Sequence, residues 1–324
     1  MRQSELFARF TGPAPPSRRL LQGMSLLETM VGLTIGLLLV TVVVRGFAAG
    51  SSNARTNSLV SEYQTNGRYA LETLRRSVRH AALSPLVWDA TQLNISSAAA
   101  TKTFGCGAGV TTSLRSGILA SNDANPYTAS CLMASTASPP YLQYARGDVL
   151  SLRGLGLDAV TSFVVDVPYA RVSYGSGDVF LGQTDTPAAL APPALDYPLV
   201  HEVYFINRFT VSPSETPRVP ALYRLRLSDG ASPTLVPELV ASNIEHMQWQ
   251  FAMKDGSGKV RYFDPQDVTD WANVISARVW LLLKSSEVDP GLVNSSYTLG
   301  SVTYSPTDNF RRAVLSSTIN LRNQ

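Results

Sequence analysis

A carboxylate stands inside the long apolar run of this chain. From Met24 to Val44 the residues are mostly Leu, Val, Ile, Gly and Met, and Glu28 is the only ionisable side chain among them. At 1.5 Å per residue the run is about 31 Å long, enough to span a hydrocarbon core. Arg18 and Arg19 precede it, which keeps the N-terminal end in the cytoplasm and exports the C-terminal remainder. A carboxylate at bilayer depth costs several kcal/mol unless it is partnered, so Glu28 is expected to be functional.

Three kinds of N-terminus carry such a run. A conventional signal peptide has a shorter apolar core and a small-residue cleavage site, which Ala48-Ala49 imitates. Neither Glu28 nor the length of the run fits it. A plain membrane anchor accounts for the length and leaves Glu28 unexplained. The third pattern is a basic leader, a Gly, four small or apolar residues, a Glu and an apolar helix.

Gly23-Met24-Ser25-Leu26-Leu27-Glu28-Thr29-Met30 has that third pattern and resembles the N-terminus of type IV prepilins. The resemblance implies that a prepilin peptidase cuts after Gly23 and methylates the new amine of Met24. It implies further that Glu28 pairs with the N-terminal amine of a neighbouring subunit as the helix leaves the bilayer for a filament. Such a charge is tolerated when paired and is strongly destabilising when its partner is removed. Two features depart from the family pattern. Met24 stands where relatives usually have Phe, and Pro13, Pro15 and Pro16 disfavour a helical leader. Gly32 and Gly36 form a G-x-x-x-G spacing, which brings helices close but is common in membrane segments.

The leader changes the charge balance. Residues 1–23 hold four of the 27 Lys+Arg and one of the 24 Asp+Glu, so cleavage leaves 23 of each. The apparent net charge of +3 disappears, and with it any global basic footprint for nucleic acid. At 44% hydrophobic residues the chain can build a core and is not a disordered segment. Cys106 and Cys131 are an even pair, which in an exported protein points to a disulfide. The bridge would close a loop of roughly 26 residues, worth about 3 kcal/mol in the chain-entropy account. Two unpaired thiols in a loop are the alternative.

Past the membrane segment, Gly46, Gly50, Ser51 and Ser52 predict a bend or local melting. The helical pattern then resumes. Leu59, Tyr63, Gly67, Ala70, Leu71, Leu74, Val78 and Ala81 recur at three- and four-residue steps, which makes one apolar face for packing on a sheet. The other face carries Arg55, Arg68, Arg75, Arg76 and Arg79. No aromatic residues interleave these arginines to stack bases, so a solvated face or one that meets acidic neighbours in an assembly is expected. Pro85 predicts an end near Ser84. The expected organisation is a leader over 1–23, a membrane-spanning helix over 24–45, its amphipathic continuation over 46–83, and a β-rich head over 84–324.

In the head, residues 84–147 read as loops with short strands. Strands are expected at Asp148–Arg153, Val160–Val167 and Val200–Phe209, with Gly175–Pro198 as a Gly/Pro/Ala-rich connection. Tyr223, Leu225 and Leu227 alternate with polar residues. The clearest strand is Glu245–Lys254, where Met247, Trp249, Phe251 and Met253 alternate with His246, Gln248, Gln250 and Ala252. Asp255-Gly-Ser-Gly258 turns it back into Val260–Phe263. Val274–Lys284 and Arg312–Leu321 complete the set. Helix first and strands after gives an α+β, type IV pilin-like fold on a mainly antiparallel sheet.

The C-terminal text narrows the family. Glu238-Leu-Val-Ala-Ser-Asn-Ile-Glu-His-Met-Gln-Trp249, the run Val268–Ser286 and the stretch Phe310-Arg-Arg-Ala-Val-Leu-Ser-Ser-Thr-Ile-Asn-Leu-Arg-Asn323 look like PilW-type minor pilins. Asn66-Gly-Arg-Tyr-Ala-Leu-Glu72 resembles the family's second helical signature. The resemblance implies a low-copy subunit near the pilus tip that primes assembly of the major pilin. Its implied partners are the prepilin peptidase, other minor pilins, the major pilin, a large tip adhesin and, before assembly, the inner membrane. The head would face the periplasm. A J-type pseudopilin of type II secretion is the sibling alternative. A tip module that binds DNA or host ligands is a third reading, from a different class.

No catalytic or metal constellation appears in the sequence. His80, His201 and His246 share no metal-ligand spacing with one another or with a Cys, and His246 is expected on a solvated strand face. Gly105-Cys-Gly-Ala-Gly109 lacks the Lys and Ser/Thr of a phosphate loop. Asp264, Asp267 and Asp270 lack the alternating positions and distal Glu of a calcium loop. No cofactor and no enzymatic activity are expected.

Overall fold

The computed structural model describes residues 24–81, 86, 92–102, 104, 117–127, 130–132, 141–289, 291–293 and 295–321. The chain falls into two compact units that divide after Thr56.

The first unit is helical. α1 (Leu26–His80) begins here, with the Ser25 hydroxyl accepting the Glu28 amide at 3.2 Å as an N-cap. Its apolar side chains are exposed from Leu26 to Phe47, and the helix is long and apolar enough to cross a membrane. The hydroxyls of Thr29, Thr34 and Thr41 donate back to the carbonyls of Leu26, Val31 and Leu37 at 2.8–2.9 Å. That satisfies the only other polar side chains of the run within the helix itself, as a lipid environment demands. The bend or melting expected at Gly46–Ser52 does not interrupt α1. Glycines weaken a helix by about 1 kcal/mol each but keep every backbone hydrogen bond.

The second unit starts at Asn57. Here Tyr63, Gly67, Ala70, Leu74 and Val78 of α1 are buried, and Arg68, Arg76 and Arg79 are exposed. The strands are β1 (Leu93–Ile95), β2 (Ile118–Ser121), β3 (Val149–Leu155), β4 (Pro168–Ser173), β5 (Ser176–Leu181), β6 (Leu195–Asn207), β7 (Ala221–Leu227) and β8 (Leu235–Ser242) in one sheet. A second sheet runs in the order β10 (Val260–Phe263), β9 (Ile244–Lys254), β11 (Ser276–Val288), β14 (Phe310–Asn320). β12 (Tyr297–Leu299) and β13 (Val302–Tyr304) form a hairpin. Pairing is antiparallel throughout these sheets except between β1 and β5. A short helix, α2 (Ser97–Thr101), packs near β5.

The main core lies between the helix stripe and both sheets. Leu150, Leu152, Tyr204, Ile206 and Leu222 come from the large sheet, and Met247, Trp249, Phe251, Val279, Leu281 and Leu283 from the small one. Each large apolar side chain contributes about 1.5–3 kcal/mol on burial. The opposite face of the large sheet carries Val149, Val203, Phe205 and Leu225 over Leu132 and Leu142.

Two expectations in the head fail. Val160–Val167 is not a strand: Val164 and Val165 are partly exposed, Asp166 takes φ +65°, and Phe163 turns in against Tyr169 and Phe180. Only Val160 of the β-branched run bridges a neighbouring strand, at Asp196 of β6, and no ladder continues from it. Gly175–Pro198 is not a mere connection either, because it holds all of β5 and the start of β6. β4 and β5 close through Tyr174-Gly175, where Gly175 at φ +73° permits the tight turn.

Candidate functional site

α1 meets the head along a seam built from several separate sequence segments. At its centre the Asn66 side-chain amide donates to Ser242 Oγ and to Asn243 Oδ1, both at 3.0 Å. Asn243 lies between β8 and β9 with φ +68°, a conformation Asn adopts more readily than other side-chain-bearing residues. Its own amide donates to the Lys284 carbonyl at 3.1 Å, and the Lys284 N–H donates to the Asn243 carbonyl at 2.9 Å. One buried residue therefore joins helix, β8, β9 and β11.

Gly67 has a steric role. A Cβ there would stand 2.7 Å from Leu283 Cδ1 and 2.8 Å from Leu315 Cδ1, so the absent side chain lets α1 ride directly on β11 and β14. Further along, Ser77 Oγ and the Tyr204 hydroxyl are 2.8 Å apart, and the Tyr204 hydroxyl donates to Glu202 at 3.0 Å. Arg224 bridges Glu202 and Glu238. Arg75 reaches Ser317 on β14 at 3.1 Å.

A buried ion network backs the seam. The Arg312 side chain is fully buried; it donates to Glu245 at 2.5 and 3.0 Å and to Asp308 at 2.5 and 2.9 Å. Burial alone would lower the pKa of Arg312, but the hydrogen bonds to Glu245 and Asp308 outweigh it and raise it. The same hydrogen bonds hold the Asp308 carboxyl below the usual range. A second staple joins the sheets. Asp148, at the foot of β3, accepts the Trp249 N–H at 2.6 Å and the Asp123 N–H at 3.0 Å. Burial pushes its carboxyl up to about 7, against the pull of those two amides.

The expectation for His246 is corrected here. The residue is buried, with its ring 5.9 Å from that of Tyr304 and its Nε2 3.9 Å from Asp123. The β12–β13 hairpin covers the polar face of β9, so alternation marked two environments and not one wet face. Burial lowers its pKa. His201 is buried too, with Nε2 3.0 Å from Ser151 Oγ, and burial holds its pKa well below the ordinary value. His80 is exposed on α1.

Among the described residues, no three His, Cys, Asp or Glu side chains gather as a metal site. Asp264 accepts from Gln250 and Ser301, and Asp270 caps the turn at Trp271–Asn273. Met24 and Glu28 are exposed at the start of the first unit. Gly23 and Cys106 lie outside the described residues. Cys131 is half-buried in the turn Ser130–Leu132, against the core beneath β3, β6 and β7.

An exposed apolar helix of membrane-spanning length, and a helix stripe laid on antiparallel sheets, define an α+β, pilin-like chain. Residues 203–323 match the family model described as Type IV Pilus-assembly protein W. The PilW resemblance therefore holds over that segment. No curated protein and no solved structure matches the chain. The seam draws on both parts of the chain: Asn243, Glu245, Lys284 and Arg312 fall inside the matched segment, and Asn66 and Gly67 outside it.

Proposed function

We propose that this chain is a minor pilin of the type IV pilus that primes assembly in a tip complex with other minor pilins. The observation that carries the proposal is the joining, in one chain, of the PilW-matching segment to an exposed apolar run, Met24–Val44, whose only charge is Glu28. On this reading the prepilin peptidase cuts between Gly23 and Met24 and methylates Met24. The helix waits in the inner membrane with the head in the periplasm. Glu28 then pairs with the terminal amine of a neighbour as the subunit enters the pilus. A Cys106–Cys131 bridge staples the loops of the head, in keeping with the lack of any free thiol among the described cysteines. The subunit works by docking with minor pilins, the major pilin and a tip adhesin, without catalysis of its own, and so supports twitching and adhesion.

Gene deletion tests this. Loss of surface pili and twitching with type II secretion intact is the expected result. Loss of secretion with pili intact would identify a J-type pseudopilin instead.

A further inference from the structure

The wall of one pocket in the head is strongly unbalanced in charge. Arg146, Arg208, Arg218 and Lys284 line a concavity of about 150 Å³, with Glu245 as its only carboxylate among the described residues. Glu245 is already engaged: Arg312 holds both its oxygens, and the Tyr304 hydroxyl donates to it at 3.3 Å. Asp308 is the next carboxylate. It lies 3.7 Å from Lys284 Nζ, but both terminal nitrogens of Arg312 already bind it. Among the described residues no carboxylate pairs with Arg146, Arg208 or Arg218. Five cations thus share two carboxylates. Burial lowers the pKa of Lys284, and Arg312 and Arg146 add to that against the pull of Glu245 and Asp308. A concave wall of one sign concentrates potential and recruits the opposite charge.

Three of the cations, Lys284, Arg146 and Arg218, have a contact that positions the side chain. Lys284 stands on β11 with its ammonium 3.9 Å from the centre of the Phe310 ring. The Arg146 guanidinium lies 4.9 Å from the centre of the Tyr304 ring. Arg208 comes directly after the end of β6. Arg218 donates from Nε to the Pro213 carbonyl at 3.1 Å, in a loop that Glu215 fixes by accepting the amides of Thr210, Val211 and Ser212. The Tyr223 hydroxyl ties that loop to β7 through the Thr210 carbonyl at 2.6 Å. Guanidinium forks set on firm backbone suit a planar carboxylate.

We infer that this pocket receives a Glu or Asp side chain from an acidic segment of a neighbouring pilus subunit. The inference rests on the minor-pilin reading for the identity of the partner. Charge complementarity argues for the acidic segment, and the small volume admits one carboxylate head group.

The full chain in detergent should be titrated at low salt with acetyl-tetraglutamate-amide, with the matching tetraglutamine peptide and with inorganic phosphate. Saturable binding of tetraglutamate alone is expected, weakened by about tenfold or more in Arg208→Gln/Arg218→Gln. The helix-face variant Arg68→Gln/Arg79→Gln should bind as the parent does. Equal loss in both variants, absence of saturation, or binding of phosphate without the peptide would overturn the inference. In cells, the Arg208→Gln/Arg218→Gln protein should be cleaved normally and be depleted from sheared pili. Normal incorporation would overturn the inference and leave the minor-pilin reading standing. Intact piliation after gene deletion would remove that reading itself.

Discussion

Asn66 of α1 donates its side-chain amide to Asn243 Oδ1 at 3.0 Å, so the helix is tied to a residue whose own backbone is left-handed. The two demands on Asn243 can be separated by substitution. Asn243→Gly keeps the conformation and loses the hydrogen bonds to Asn66 and Lys284. Asn243→Ala loses those bonds and also strains the backbone by about 1 kcal/mol. We expect both to destabilise the protein, with Ala worse than Gly by about that amount in urea unfolding of the full chain. Equal losses would show that φ is not what selects Asn here.

The buried network predicts strong non-additivity. Arg312→Met takes the ion-pair partner from the buried Glu245, while Asp308 keeps Lys284 at 3.7 Å, and the orphaned buried charge should cost about 3–5 kcal/mol. Adding Glu245→Leu removes that charge and should recover part of the loss. A double-mutant cycle by urea unfolding checks this. Simple addition of the two single costs would contradict a coupled pair.

These two sites also show where sequence reading stops. The helix stripe was legible because Tyr63, Gly67, Ala70, Leu74 and Val78 keep a strict three- and four-residue spacing, and they are the residues that α1 buries. β9, β11 and β14 were legible from alternation or sustained apolar runs. β4 and β5 were not, since their hairpin sits in Gly- and Pro-rich text and its strand identity comes from pairing with β6. His246 was misplaced because alternation cannot report a hairpin that folds over the polar face from 50 residues downstream. The segments that make the seam were recognised as family text, but nothing local announced that Asn66 and Asn243 meet or that Glu245 pairs with Arg312. Asp148 gave no signal at all; its role depends on two amides from β9 and the loop after β2.

Asp148 predicts a pH dependence of definite sign. Its folded carboxyl titrates at about 7, above the ordinary value near 3.8, so the folded state binds the proton more tightly than the unfolded chain. The associated stability is present below the unfolded value and is lost as pH rises toward 7, by a few kcal/mol at most. Asp308 has the opposite sign, and its contribution is lost as pH falls through the carboxylate range. The clean observable is the difference between the parent and Asp148→Asn. Unfolding free energy of the parent minus that of the variant should fall between pH 4 and 7 and be flat above. A flat difference throughout would mean that the two amides keep Asp148 ionised.

Glu28 offers the sharpest functional test. Its backbone amide is capped by Ser25, and no described residue of its own chain engages its carboxylate, so the side chain is available to another molecule. In the bilayer an unpartnered carboxylate is costly, and docking against a cationic terminal amine relieves that cost. Glu28→Ala should therefore hold the membrane at least as well as the parent and still be cut after Gly23, yet be depleted about tenfold or more from sheared pili. Glu28→Gln keeps the shape and hydrogen-bonding capacity without the charge. If it behaves like Glu28→Ala, the charge is what matters; if it behaves like the parent, a hydrogen bond suffices. The mature-size band on a membrane blot reports cleavage, and the ratio of subunit to major pilin in the sheared fraction reports incorporation. Normal incorporation of Glu28→Ala would remove the intermolecular pair from the account.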